Sequence, residues 1–303
     1  MAAEVRAAVA AEWRATYAAR RRRKHMTAWS AAAGIAVAAV GVWLARPPYL
    51  APGDPVASLA RVEGAVEYRN HGGETWGALP AQAELREGAD IRTGKTGRVA
   101  LKLASGVELR LDNATRIVLN DVNHATLRRG GVYVDSGVSG ADASRELELD
   151  TRAGTVRHLG TQYEARVAGS VLRVGVREGL VAIGTHGGDV VGNAGQQLTF
   201  RDGQVTRSAL AANAESWAWV GSITPPVAIE GRSVDDFLAW AGRETGRQVI
   251  YASPEAAQQA RAIVLKGSIA GLTPDDALSA VLATTPLRPE IGDGRIRIEA
   301  VNP

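Results

Sequence analysis

The chain has no cysteine among its 303 residues, which excludes disulfide staples, thiol nucleophiles and thiolate-held zinc. Histidine is scarce: five residues, at 25, 71, 124, 158 and 186, stand apart without the pairing a metal ligand set needs. No G-x-S-x-G elbow occurs, and the segment SGVSG at 136–140 reads as a flexible loop. The nearest approach to a phosphate-binding loop is GADIRTGKT at 88–96. Its spacing is one residue too long, and an alternating strand follows where a helix N-terminus would have to hold phosphate, so it reads as a β-turn. The sequence therefore calls for no catalytic residue, no cofactor and no metal, and a non-enzymatic role is expected. The formal net charge of +3 is also misleading, because residues 1–25 hold seven Lys/Arg against two Asp/Glu. The rest of the chain is slightly acidic and shows no footprint for nucleic acid.

Long apolar runs are absent too, with one exception. Residues 27–45 carry no charge, and at about 1.5 Å per residue they span about 28 Å as a helix, close to the hydrocarbon thickness of a bilayer. Backbone groups in lipid must be satisfied within the segment, which enforces the helix, and Trp29 and Trp43 sit near its ends, where interfacial indoles belong. Arg20, Arg21, Arg22, Arg23 and Lys24 precede the run and set its direction, leaving 1–26 in the cytoplasm and the bulk of the chain across the membrane. A cleaved signal is disfavoured because Trp43-Leu44-Ala45 places an indole where a small residue is wanted. Upstream, Val5, Val9, Trp13 and Tyr17 recur every four residues as an apolar stripe. Two readings stay open for it: a helix lying on anionic headgroups, or a stripe docking a cytoplasmic partner.

Beyond a proline-rich linker at 46–56, the period of the sequence shortens to two. Val99, Leu101 and Leu103 alternate with polar or small residues, as do Val107, Leu109 and Leu111, and then Leu172, Val174 and Val176. Glycine-bearing breaks separate the runs, the pattern of many short strands. An all-β domain over 57–205 is expected, sandwich-like or solenoid-like. After a linker at 206–221 the period changes again. Ser233 and Thr273 begin helical patterns with acidic residues three positions on, and Gly246 is placed to end the first. Strands expected at 227–229, 248–251, 263–266, 287–291 and 295–299 complete a small α+β domain, 222–303, in the order β-α-β-β-α-β-β. The chain is thus expected to be a single-pass membrane protein with two exported domains.

Five segments, LREGADIRTG (85–94), VALKLASGVEL (99–109), LDTRAGTVRHLGTQY (149–163), RVGVREGLV (173–181) and AGQQL (194–198), resemble in this order the FecR family of membrane-anchored anti-sigma regulators. The C-terminal stretch is similar to the short N-terminal domain of secretins and TonB-dependent receptors through SVDDFL (233–238), GRQVIY (246–251), LKG (265–267), LTPDDAL (272–278) and RIRI (295–298). The resemblance implies a relay in the bacterial inner membrane. The signalling domain of a TonB-dependent outer-membrane receptor would report a bound siderophore or other nutrient to the periplasmic region, and the tail would control an extracytoplasmic-function sigma factor. Family members usually carry a longer cytoplasmic domain than the 25 or so residues found here. Either the start lies further upstream or this tail does not hold a sigma factor by itself. Arg295, Ile296, Arg297, Ile298 and Glu299 form a candidate exposed strand edge for receptor docking, since exposed edges pair with other chains. The alternative role is a non-regulatory periplasmic envelope module that binds or scaffolds.

Overall fold

Strands form where the apolar residues alternate, and the first fifteen belong to one hydrogen-bonded network. The structure, a computed structural model, describes residues 55–137, 146–185, 187–292 and 294–301, all within the compact unit Pro52–Pro303. The basic cluster Arg20 to Lys24, the stripe Val9, Trp13 and Tyr17, the apolar run 27–45 and nearly all of the linker 46–56 lie outside the described residues. Among the described residues no helix is long and apolar enough to cross a membrane.

In chain order the strands are β1 (Pro55–Glu63), β2 (Val66–Arg69), β3 (Gly77–Ala78), β4 (Glu84–Arg86), β5 (Ala89–Thr93), β6 (Arg98–Leu103), β7 (Glu108–Leu111) and β8 (Arg116–Leu119). They continue with β9 (His124–Asp135), β10 (Glu148–Thr151), β11 (Gly154–Ala168), β12 (Val171–Thr185), β13 (Gly188–Asn193), β14 (Gln196–Arg201) and β15 (Gln204–Ala209). The long strands β9, β11 and β12 each serve two half-sheets. One half runs β15-β14-β12-β11-β9-β7-β6-β1-β4, and the other runs β13-β12-β11-β10-β9-β8-β5-β2-β3. The long strands change halves near Gly130, Gly160 and Gly179, which all have positive φ. At Gly179 (φ +78°) a Cβ would also lie 2.5 Å from the Gly160 carbonyl oxygen, so the bend admits only glycine. Ile91, Ile117, Leu149 and Val181 from one half and Leu101, Leu109, Val134, Val174 and Leu198 from the other meet in a single core. The arrangement is that of a sandwich whose two layers are continuous through strands that switch sheets.

The C-terminal lobe comprises α1 (Ala218–Ser222), α2 (Val234–Thr245), β16 (Gln248–Tyr251), α3 (Pro254–Ala262), α4 (Pro274–Leu282), β17 (Leu287–Gly292) and β18 (Arg295–Ala300). Its core is its own, built on Phe237, Leu238, Leu278, Val281, Leu282, Ile296 and Ile298. The expected helix starts are present. Ser233 and Asp236 form a reciprocal capping box on α2, Gly246 closes that helix in the left-handed conformation, and Thr273 Oγ1 accepts the Asp276 N–H on α4.

Two expectations for this lobe are corrected. The segments 227–229 and 263–266 are not strands. Instead, Gly231 N–H donates to Leu265 O, Leu265 N–H to Arg232 O and Val234 N–H to Ile263 O, a short clamp that ends at the Ser233 cap and leaves no length for a strand. Residues 254–262 form a helix, α3, started by Ser253 as cap and Pro254 in the first turn. The second correction concerns Arg295 to Glu299. The sheet order is β16-β18-β17, with β18 parallel to β16 and antiparallel to β17, so this strand is central and offers no free edge. Ile296 and Ile298 are buried under the helices, while Arg295, Arg297 and Glu299 lie on the exposed face.

Candidate functional site: the junction of the two lobes

Alternation buries one face of each strand, and the opposite face should be polar and wet. On β7, β9 and β12 that rule fails. Arg110 and Tyr133, which are register partners across β7 and β9, are 0 % and 1 % exposed although they point away from the core. The C-terminal lobe and the segment leading to it cover this outer face.

An aromatic plug forms the first part of the junction. Trp217 packs edge-on against Tyr133, ring centroids 6.0 Å apart at 75°, and joins Val220, Leu210 and Trp219 in a small cluster separate from both main cores. Its indole N–H donates to the Ala211 carbonyl at 2.9 Å, so the polar end of the ring is satisfied. Gly175 on β12 makes room for it. A Cβ there would stand 2.6 Å from Leu210 Cδ2 and 3.4 Å from Trp217 Cη2.

A charge lock forms the second part. Arg110 Nη1 and Nη2 donate to the two carboxylate oxygens of Glu244 on α2 at 2.7 and 2.9 Å. Nη1 also reaches Thr224 Oγ1 at 3.1 Å and the Val220 carbonyl at 3.2 Å. Burial works against the Arg110 charge, but the Glu244 carboxylate outweighs it and holds the guanidinium above its ordinary pKa. One residue before Glu244, Arg243 donates to Asp135 and to Glu178, both at 2.5 Å. Burial opposes the Asp135 charge, and Arg243 together with the Gln162 amide overrides it, so this carboxyl lies below its usual range. Nearby, Asp112 accepts from Arg98 at 2.9 Å and from Arg166 at 2.7 Å. Arg98 reaches on to Ser222 Oγ, and Arg61 to the Thr224 carbonyl. The last turn of α2 is thus tied to β7, β9 and β12 at once. Removing one member of such a buried, hydrogen-bonded pair is costly, because the other charge is left uncompensated.

Of the topology and partner-docking residues singled out in the sequence, only Arg295 to Glu299 are among the described residues, and they lie in the C-terminal sheet away from this junction's hydrogen bonds. The turn after β5 is as expected: Gly97 N–H donates to Gly94 O and β6 follows directly, so the phosphate-loop likeness has no helix behind it. The sequence missed the whole junction, and it also missed a cluster on the other half-sheet. There the parallel pairing of β9 with β10 sets His124 beside Glu148 and Asp150, with potential metal-ligating atoms within 4.8 Å of one another. These groups are accounted for by protein partners, His124 Nε2 with Asp150 at 2.7 Å, Thr155 Oγ1 donating to Asp150 at 2.6 Å, and Arg157 pairing with Glu148.

The sequence model of the family described as FecR protein matches residues 89–182, which run from β5 into β12 and include Arg110, Asp112, Tyr133, Asp135, Arg166, Gly175, Arg177 and Glu178 of the junction. No curated protein matches the chain. Two crystal structures of a candidate anti-sigma factor from Parabacteroides distasonis are similar at 14 % identity and a TM-score of 0.38. They cover 70 % and 69 % of this chain and 99 % and 97 % of their own. A likeness that loose carries no argument.

Proposed function

Residues 89–182 are a FecR domain, and from that premise we propose that the protein is a FecR-type anti-sigma regulator that relays a signal across a membrane. The domain match is the observation that carries this reading. In it, residues 1–26 face the cytoplasm and engage an extracytoplasmic-function sigma factor, and residues 27–45 are the anchor in the bacterial inner membrane. The two lobes stand in the periplasm, where the C-terminal lobe receives the signalling domain of a TonB-dependent receptor. The junction supports such a role in physical terms. A lobe fixed at several points to the FecR domain moves with it, so a force or a partner acting on one is felt by the other.

The test is capture of a sigma factor by the full-length chain in its host membrane, read together with a reporter gene under that sigma factor. The expected result is copurification that is lost when residues 1–26 are removed, with altered reporter output. A full-length chain that captures no sigma factor and leaves the reporter unchanged refutes the proposal.

A further inference from the structure

Two carboxylates compete for one nitrogen of Arg110. Glu244, delivered by α2, accepts from Nη1 at 2.7 Å and from Nη2 at 2.9 Å, the spacing of charge-assisted hydrogen bonds. Glu108 stands back. It lies two residues before Arg110 on the same outward face of β7, and its carboxylate is 3.5 Å from Nη2, too long for such a bond. A change of side-chain torsion brings the two together without moving the backbone. Arg110 thus has one tight partner from the C-terminal lobe and one loose partner from its own strand.

The surroundings of Glu108 disfavour its charge while the lobe is docked. Its register partner on β9 is Asp135, a like charge directly opposite, which is unfavourable in an antiparallel pair. Its register partner on β6 is the exposed Lys102. From α2 come Glu244, a second like charge, and Arg243, which is already taken by Asp135 and by Glu178 of β12. Burial, followed by Glu244 and Asp135, raises the Glu108 pKa above its ordinary 4.5 against the opposing pull of Arg110. We propose that Glu108 and Glu244 are exchange partners for Arg110: the lobe docks by displacing Glu108 from the guanidinium, and on release Glu108 closes onto Arg110 in its place. The exchange lets the junction open without stranding a lone guanidinium, the outcome that makes breaking a buried pair costly. It also couples docking to protons. A group raised in the docked state contributes fully below its ordinary pKa, and the contribution is lost as pH rises through the raised one. The junction therefore tightens in mild acid and loosens toward neutrality.

Urea unfolding of the full-length chain in mild detergent, read by tryptophan fluorescence at about pH 5 and about pH 7.5, tests the exchange. Trp217 packs on Tyr133 in the junction, so its release reports the loss of docking. Each variant is compared with the unaltered chain at the same pH, so groups that titrate in both cancel. Glu108→Gln keeps the shape of the side chain and removes its charge. It should raise the midpoint at about pH 7.5, and the gain should shrink at about pH 5, where Glu108 is itself becoming neutral. In a Glu244→Gln background the sign should reverse, because Glu108 is then the counter-charge left to Arg110, and its loss lowers the midpoint. A residue that merely packs at the junction shifts the midpoint in the same direction in both backgrounds. Should Glu244→Gln fail to fold, the single variant and its pH dependence decide. The proposal is overturned if Glu108→Gln lowers the midpoint at about pH 7.5 or leaves it unchanged, or if its gain is as large at about pH 5. A shift of the same sign in both backgrounds overturns it too.

Discussion

Replacing Glu244 by glutamine tests whether the charge lock holds the two lobes together. The change is nearly isosteric, so it keeps the shape of the junction and removes the charge that answers Arg110. Arg110 would remain at 0 % exposure with only Glu108, at 3.5 Å and 35 % exposed, as a residual counter-charge. Leaving one member of a buried pair uncompensated costs about 3–5 kcal/mol, and the weak help from Glu108 places the expected loss near the lower end, about 3 kcal/mol. Arg110→Met combined with Glu244→Leu removes both charges and should recover most of that loss, since a well-packed apolar pair of similar volume is often as stable as the ion pair it replaces. Urea unfolding of the fragment 52–303, read by tryptophan fluorescence, measures this. Trp217 and Trp219 stand at the junction, so release of the C-terminal lobe appears as an early transition before the β-sheet lobe unfolds. A loss below about 1 kcal/mol in Glu244→Gln, or a double variant no better than the single one, would refute the reasoning.

Further outcomes follow from other parts of the chain. Gly175→Leu should displace Trp217 and Leu210 and cost about 1–3 kcal/mol, seen as an earlier urea midpoint and a shifted tryptophan emission; an unchanged midpoint counts against the close approach described here. His158 is buried and its Nε2 accepts the Leu147 N–H at 3.0 Å, and burial lowers its pKa from 6.5 to about 4, against the smaller pull of Asp135. The unfolded chain therefore binds the extra proton first, and this contribution, on the order of 3 kcal/mol, is present above about pH 6.5 and lost as pH falls toward about 4. His158→Gln should flatten the stability profile in that window, and an unaltered slope would show that another group titrates. For topology, an alkaline phosphatase fused after residue 303 should be active, whereas activity of a cytoplasmic reporter at the same place would reverse the orientation.

The sequence by itself determined those features that depend on neighbours along the chain. Alternation placed Leu101, Leu109, Val134 and Val174 on a buried face, because strand side chains point to opposite sides in turn. The caps at Ser233 and Thr273 were legible because an N-cap and its partner lie three residues apart. The start of α3 carries the same kind of signal in Ser253 and Pro254, but the weakly apolar run behind it, EAAQQARA at 255–262, hid the helix.

Tertiary structure alone decided what lies far apart in the chain. In ELRL at 108–111, Arg110 looks like any outward residue of a half-exposed strand, and it is buried only because a carboxylate 134 residues later is brought onto it. RIRIE at 295–299 reads as a soluble edge for a comparable reason. Its outward charges are visible in the sequence, but its parallel pairing with Gln248–Tyr251 needs a crossover through two helices and the strand β17, and local pattern holds no information about which strand fills the middle of a sheet. Arg177 follows the same rule: the alternation of RVGVREG puts it on the outer face of its strand, and only the arrival of Trp217 and α2 encloses it, because burial of an outward side chain is a property of what packs over the sheet and not of the strand that carries it.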